Sequence, residues 1–307
     1  MGAVEEAAEI GRRAGVPVQY SHIAIIDSRA HGRPEELTAV VEQARADGLD
    51  MTFDVYPYTA AGSHLMQLLP EWLQAGGVAA MLARLREDAT RSRALEDTRR
   101  GFFRGLPWAW ESIVISDIGS SRNRSYIGRS LASVAAERGV EPARAALDLV
   151  DEEDNLVGVV VHNRLESDMR FFLGHDLAMV GSDGDAISPT GVHGPPQKPH
   201  PRFYGTFPRV LGRYVRDDPV LALEEAVARM TGRPAARLGL SDRGRIAVRH
   251  AADLVVFDPA TVLDHATFED PHRFPAGIRD VLVAGVPVVE NGRHTGARPG
   301  RVLRRAS

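Results

Sequence analysis

The run Ala178-Met179-Val180-Gly181-Ser182-Asp183-Gly184-Asp185 is an apolar strand that ends in a carboxylate flanked by small residues. Far upstream, Val16-Pro17-Val18-Gln19-Tyr20-Ser21-His22 is another strand-like run, ending in an imidazole. A neutral imidazole can hold a divalent metal, and a carboxylate beside it can carry a proton from activated water to a leaving nitrogen. Strands and helices alternate between the two, so both side chains fall at carboxyl ends of strands, as in the site of a barrel-type hydrolase. Singly, each has a plainer reading. A lone strand-end histidine is usually structural, and a lone loop aspartate is usually a cap. The pair favours a site.

Other residues can surround such a pair. Tyr56-Pro57-Tyr58, followed by Gly62-Ser63, offers hydroxyls and backbone donors, the plainer alternative being core tyrosines. Arg202, in His200-Pro201-Arg202, can grip a substrate carboxylate in two hydrogen bonds, the alternative being a solvated arginine. His64, His193 and His200 lack ligand spacing and are not read as ligands. A glycine-rich phosphate loop, a Ser-His-Asp order and a nucleotide fingerprint are all missing.

The elements that must position these groups follow from periodicity. Val4 to Ala14 is amphipathic and helical, stopped by Gly15, and Pro17 opens a strand running through Ile26. After a polar loop from Asp27 to Pro34, a helix over Glu35 to Asp47 closes at Gly48, and Asp50 to Tyr58 forms the next strand. Strand, loop, helix, strand is the repeat of a parallel α/β fold. Residues 59–111 lie outside that repeat as helices and loops. Strands are expected at Ser112 to Ile118 and Leu156 to Asn163, and helices at Ser130 to Arg138, Pro142 to Asp151 and Glu166 to Leu173. The Pro-, Gly- and His-rich stretch from Ser188 to Pro208 follows Asp183 directly and reads as an ordered active-site loop. Helices at Leu221 to Thr231 and Pro234 to Leu238 come next. Short strands then take over, at Arg245 to Val248, Ala252 to Phe257, and a hairpin over Asp280 to Val289 turning at Ala284-Gly285.

Composition sets the outer limits. The 307 residues are 44% hydrophobic and 25% charged, ordinary for a globular α/β protein with a sizeable core. A formal charge of −4 provides no basic footprint for nucleic acid. With no cysteine, thiolate metal sites and cysteine nucleophiles are excluded. No apolar run approaches membrane-spanning length, and Glu5, Glu6 and Glu9 are unlike a signal peptide, so a cytoplasmic location is expected.

At these residues the chain resembles the D-aminoacylases, the N-acyl-D-amino-acid deacylases of the amidohydrolase superfamily. The resemblance runs through residues 11–22, Asp54-Val55-Tyr56-Pro57-Tyr58-Thr59-Ala60, Gly181-Ser182-Asp183-Gly184, Tyr204-Gly205-Thr206-Phe207-Pro208, residues 252–259 and residues 294–300. It implies a zinc-dependent (β/α)₈ barrel, with residues 1–240 as its C-terminal part, an insertion at about 59–111, and residues 241–307 as part of a small β domain. It further implies that His22 is a metal ligand, that Asp183 is the general base and acid, and that Tyr56, Ser63 and Arg202 contact a small amide substrate.

Two departures modify this. Ala24 stands where the family commonly carries a lysine two residues after the histidine. The family's His-x-His pair and remaining ligands fall upstream of Met1, so the chain reads as a second half, incomplete as a zinc site and inactive alone. Three explanations follow: a start codon assigned too late, a gene remnant, or a separate N-terminal half as partner. The readings left open are zinc-dependent hydrolysis of N-acyl-D-amino acids, a non-catalytic fragment or subunit, and a cyclic-amide hydrolase of the dihydroorotase and hydantoinase kind.

Overall fold

The computed structural model describes residues 2–101 and 105–303. Helix α1 (Gly2–Ala14) turns Val4, Ala8 and Gly11 inward and leads into strand β1 (Val18–Tyr20). A side chain at Gly11 would meet Val18 Cγ2 at 2.4 Å, so this glycine lets the helix lie against the strand. Helix α2 (Glu35–Ala46) then feeds strand β2 (Met51–Val55). Strand β3 (Ala61–His64) follows, with helices α3 (Glu71–Gln74), α4 (Val78–Leu85) and α5 (Asp88–Arg99) after it. Next come β4 (Ile113–Ile118), α6 (Leu131–Arg138), α7 (Pro142–Glu152), β5 (Val157–Val161), α8 (Glu166–Gly174) and β6 (Ala178–Val180). Helix α9 (Arg202–Arg209) passes into a π-helical stretch, Val210–Asp217, before α10 (Leu223–Met230) and α11 (Gly232–Leu238). The chain finishes with β7 (Leu254–Phe257), β8 (Ile278–Val283), β9 (Val286–Glu290) and β10 (Arg293–His294).

These strands form three sheets. The first is parallel, in the order β1-β2-β6, with Tyr20 beside Phe53 and Phe53 beside Ala178. Along β2 the pleat sends Met51, Phe53 and Val55 into the core, while Thr52 and Asp54 face the other way. The apolar side packs against Leu37 and Val41 of α2 and against Met169, Phe172 and Leu173 of α8. The expected α/β architecture is present, and the three parallel strands have their carboxyl ends on one side.

Several expectations are corrected. The strand opened by Pro17 ends at Tyr20 and does not reach Ile26, because the backbone turns at Ser21-His22, where φ of His22 is +44°. Strands β4 and β5, expected in the barrel repeat, instead form an antiparallel sheet with β3, an element that periodicity missed. That sheet has its own core, including Leu65, Met81, Leu131, Leu149 and Val159. Arg245 to Val248 forms no strand, and Ile246 and Val248 are exposed. Residues 202–208 are helix, so the long loop stops at Pro201.

The last sheet is antiparallel, in the order β10-β9-β8-β7. Its β8–β9 hairpin turns at Ala284-Gly285 as expected, with φ of +50° and +79°, values a two-residue hairpin turn requires. The linking segment is anchored to α9 by Asp264, whose carboxylate pairs with Arg209 at 3.1 Å and accepts from Tyr58 Oη at 3.3 Å.

Candidate active site

The carboxyl ends of β1, β2 and β6 lie side by side, and the sequence carries His22, Tyr56 and Asp183 just beyond them. Asp54, near the end of the central strand, organises this edge. Its Oδ1 accepts from the His22 backbone N at 2.8 Å and its Oδ2 accepts from Gln19 Nε2 at 2.9 Å. Thr52 Oγ1 donates to Gln19 Oε1 at 2.6 Å and fixes that amide. On the other flank, a Cβ at Gly181 would sit 2.9 Å from Asp54 Oδ1. Gly181 therefore leaves room for the carboxylate that ties β2 to the end of β1.

His22 and Asp183 share an uncommon backbone state, with φ of +44° and +48°. A non-glycine residue in the left-handed region is disfavoured and persists where its surroundings hold it there. The turn at His22 leaves its imidazole exposed rather than folded into the core.

Asp183 meets Arg202, the first residue of α9, with Oδ2 2.8 Å from the guanidinium Nη1. The Arg202 side chain is only 7% exposed, against 40% for Asp183, so the cation is locked inside and the carboxylate looks outward. The contact is an ion pair without hydrogen-bond alignment, and Nε and Nη1 of Arg202 have no hydrogen-bond acceptor. The Arg202 guanidinium also lies 4.8 Å from the centre of the buried Tyr56 ring. Burial raises the Tyr56 phenol above its ordinary range, against a smaller downward pull from Arg164 and Arg202, so the hydroxyl keeps its proton and can donate.

His200 completes the floor. Its Nδ1 accepts from the Arg202 backbone N at 3.0 Å, which leaves Nε2–H to donate to the Ala60 carbonyl at 3.0 Å. Both ring nitrogens are thus spoken for, and burial holds this histidine neutral, far below its usual range. His64 is exposed and His193 pairs with Asp117 at 2.9 Å.

Ser63 stands on β3 and donates to Gln67 Oε1. Its neighbour Gly62 touches the Arg202 side, where a Cβ would lie 3.4 Å from both Arg202 Nη2 and His200 Cβ. The structure therefore brings Tyr56, Arg202 and Asp183 together, sets the β3 segment carrying Ser63 against Arg202, and places His22 on the adjoining strand end.

Sequence reasoning missed Asp54, Gly181 and Arg164. Asp54 opens the Asp-Val-Tyr-Pro-Tyr motif, and its place on the polar side of an alternating strand was the available signal. Arg164 follows an antiparallel strand, so strand-end logic gave no reason to single it out. Among the described residues, no three His, Cys, Asp or Glu side chains gather to hold a metal ion. Those residues also include no helix long and apolar enough to cross a membrane.

Comparison with known proteins places this geometry. The profile of the Amidohydrolase family matches residues 9–289. A D-aminoacylase of Alcaligenes xylosoxydans xylosoxydans is 37% identical over 307 residues, covering all of this chain and 52% of the relative. A solved D-aminoacylase, studied for its binuclear metal centre, superposes with a TM-score of 0.76 at 36% identity, over 99% of this chain and 53% of the other. The N-acyl-D-glutamate deacylase of Bordetella bronchiseptica, solved with zinc and a phosphonate mimic of the tetrahedral intermediate, gives 0.76 at 32% identity, again over 99% and 53%. The chain spans about half the length of the curated relatives it matches. With the family profile covering most of its length and these relatives aligned along all of it, the chain belongs to the amidohydrolase family.

Proposed function

We propose that this chain contributes one side of a D-aminoacylase-type active site that hydrolyses the amide bond of N-acyl-D-amino acids. The observation that carries the reading is the ion pair of Asp183, beyond the carboxyl end of β6, with Arg202 at the start of α9, and Tyr56, beyond the adjacent parallel strand β2, against the same guanidinium. Asp183, the exposed partner, moves a proton between the attacking water and the leaving nitrogen. Arg202 holds the substrate carboxylate, and the Tyr56 hydroxyl donates to the reacting carbonyl. Ser63 offers a further hydroxyl from the segment beside Arg202. In this reading the parallel sheet is an arc of a metal-dependent (β/α)₈ barrel, residues 1–240, and residues 241–307 are part of a small β domain.

Zinc belongs to the reading through the relatives, but the described residues alone do not fit it. A closed site takes about three protein ligands, and His22 with Asp183 supplies one imidazole and one carboxylate already paired with arginine. His22 is assigned one ligand position, and the others fall to the part of the relatives' length that this chain does not span.

The test is amine release from N-acetyl-D-methionine with zinc present, for this chain alone and for this chain joined or mixed with the N-terminal half of a D-aminoacylase relative. Turnover in the combined preparation, lost in Asp183→Ala, is the expected result. Folded preparations that both fail to hydrolyse any N-acyl-D-amino acid would overturn the reading. A non-catalytic subunit is then the surviving alternative, favoured by the missing three-ligand cluster among the described residues.

A further inference from the structure

Two cations lie against Tyr56. The Arg202 guanidinium is 4.8 Å from the ring centre, and Arg164, which follows β5, brings its own to 4.4 Å. The two differ in their partners. Arg202 is ion-paired with Asp183, whereas the buried Nε of Arg164 has no hydrogen-bond acceptor and the group that most favours its charge is the Tyr56 phenol. The Arg164 backbone N donates to the Thr59 carbonyl at 3.2 Å, which fixes the exit of β5 beside the segment that follows Tyr56. His200 meets the Tyr56 ring edge-on at 5.8 Å and is neutral, while Asp54 is engaged by Gln19 and the His22 N–H. Among the described residues, the charge that opposes the two guanidiniums at the phenol is Asp183.

Tyr58 is the internal contrast. Both rings are buried, Tyr56 at 1% and Tyr58 at 2% exposure. Tyr58 meets one guanidinium, that of Arg209 at 4.8 Å, and its hydroxyl donates to Asp264 Oδ2 at 3.3 Å. A carboxylate at the hydroxyl holds the proton on the phenol, whereas cations over the ring favour negative charge on its oxygen.

We propose that Arg164 is a positioning residue for Tyr56, strengthening its hydroxyl as a hydrogen-bond donor to the oxyanion formed when water adds to the substrate carbonyl. In that step a water proton passes to Asp183, the water oxygen bonds the carbonyl carbon, and the carbonyl π pair moves onto its oxygen. The Tyr56 proton stays on the phenol and is shared with that oxygen. Protonation of Asp183 removes the charge that opposed the guanidiniums, so the donor strengthens as the oxyanion appears. The oxyanion rests on the hydrolase reading, whereas the pull of Arg164 on the phenol stands on the geometry alone.

The experiment titrates single phenols in the purified chain. A fluorinated tyrosine, whose phenol ionises at lower pH than that of tyrosine, replaces either Tyr56 or Tyr58, and its ionisation is followed by fluorine NMR. The probe at position 56 should titrate about one pH unit or more below the probe at position 58. Arg164→Gln should raise the position-56 midpoint by about one pH unit, a tenfold loss of acidity and the low end of what an opposite charge within about 4–6 Å produces. Arg164→Lys should restore about half of that shift. Circular dichroism confirms folding, and the comparison of positions 56 and 58 needs no substitution at Arg164. In an active assembly, Arg164→Gln should lower kcat about tenfold and leave KM within about twofold, because the donor acts on charge present only in the transition state. A midpoint unmoved by Arg164→Gln, equal shifts in the Gln and Lys variants, position 56 titrating at or above position 58, or a kinetic change confined to KM would overturn the proposal. An assembly that hydrolyses nothing defeats the hydrolase reading and leaves the titration to decide the pull of Arg164.

Discussion

The guanidinium of Arg202 lies 2.8 Å from the carboxylate of Asp183, which ties the start of α9 to the segment after β6. Neither group is free to act on a ligand without disturbing the other. Under the proposed function this couples substrate binding to proton transfer, because a substrate carboxylate at Arg202 competes with Asp183 for the same guanidinium.

That coupling predicts a selective defect. In the active assembly, Arg202→Ala should lower kcat/KM for an N-acyl-D-amino acid by about 10- to 100-fold, from the loss of a charge-assisted bond worth about 1.5–3 kcal/mol. The corresponding neutral amide substrate should change by less than about threefold. Steady-state kinetics on the acid and its amide decide it, and equal losses on both remove Arg202 from the carboxylate role. The same comparison speaks to Ala24, since a strong preference for the acid shows that guanidiniums do the work of the missing lysine.

The Asp54 bridge predicts coupled stability changes. Asp54→Asn keeps the shape but sets an amide donor against either the His22 N–H or the Gln19 amide, and should cost about 1–2 kcal/mol. Gly181→Ala drives a methyl to within 2.9 Å of the same carboxylate and should cost about 1–3 kcal/mol. Asp54→Ala removes the atom that Gly181→Ala strikes, so the double variant should be more stable than the sum by about 0.5–2 kcal/mol. Urea unfolding of the four proteins measures the cycle, and strict additivity would show that the two strand ends are independent.

His200 sets the direction of a pH effect. Its ring must be neutral for Nδ1 to accept from Arg202 N, and burial depresses its pKa. The unfolded chain titrates at about 6.5, so below that pH it binds a proton the native state refuses. Stability should be level above about pH 6.5 and fall as pH drops below it, by up to about 1.4 kcal/mol per pH unit for each such group. His162, also depressed by burial, adds in the same direction. Denaturation midpoints between pH 5 and 8 should show this slope, reduced but not abolished in His200→Gln.

What could be read from the sequence follows from how local each signal is. The α/β alternation, the β8–β9 turn at Ala284-Gly285 and the meeting of Tyr56, Asp183 and Arg202 all rest on short patterns or strand-end positions. The fate of β4 and β5 does not: an apolar run of β-branched residues looks the same in a parallel barrel and in an antiparallel sheet, and only the pairing with β3 distinguishes them. β3 itself, Ala-Gly-Ser-His, carries almost no strand signal and is held by the ladder it joins. Arg164 stayed hidden because its role depends on reaching the Tyr56 ring across two sheets.

The left-handed backbone at His22 sets a thermodynamic preference against the residue that occupies it. Glycine adopts φ of +44° without the Cβ penalty, so His22→Gly should raise the midpoint of thermal unfolding, by the equivalent of about 0.5–1 kcal/mol, while deleting an exposed imidazole. A library of this chain sorted for solubility or heat resistance alone should therefore discard His22 early, whereas one sorted for metal uptake or turnover should keep it. The divergence of those two populations at a single position would report whether the imidazole is there for chemistry.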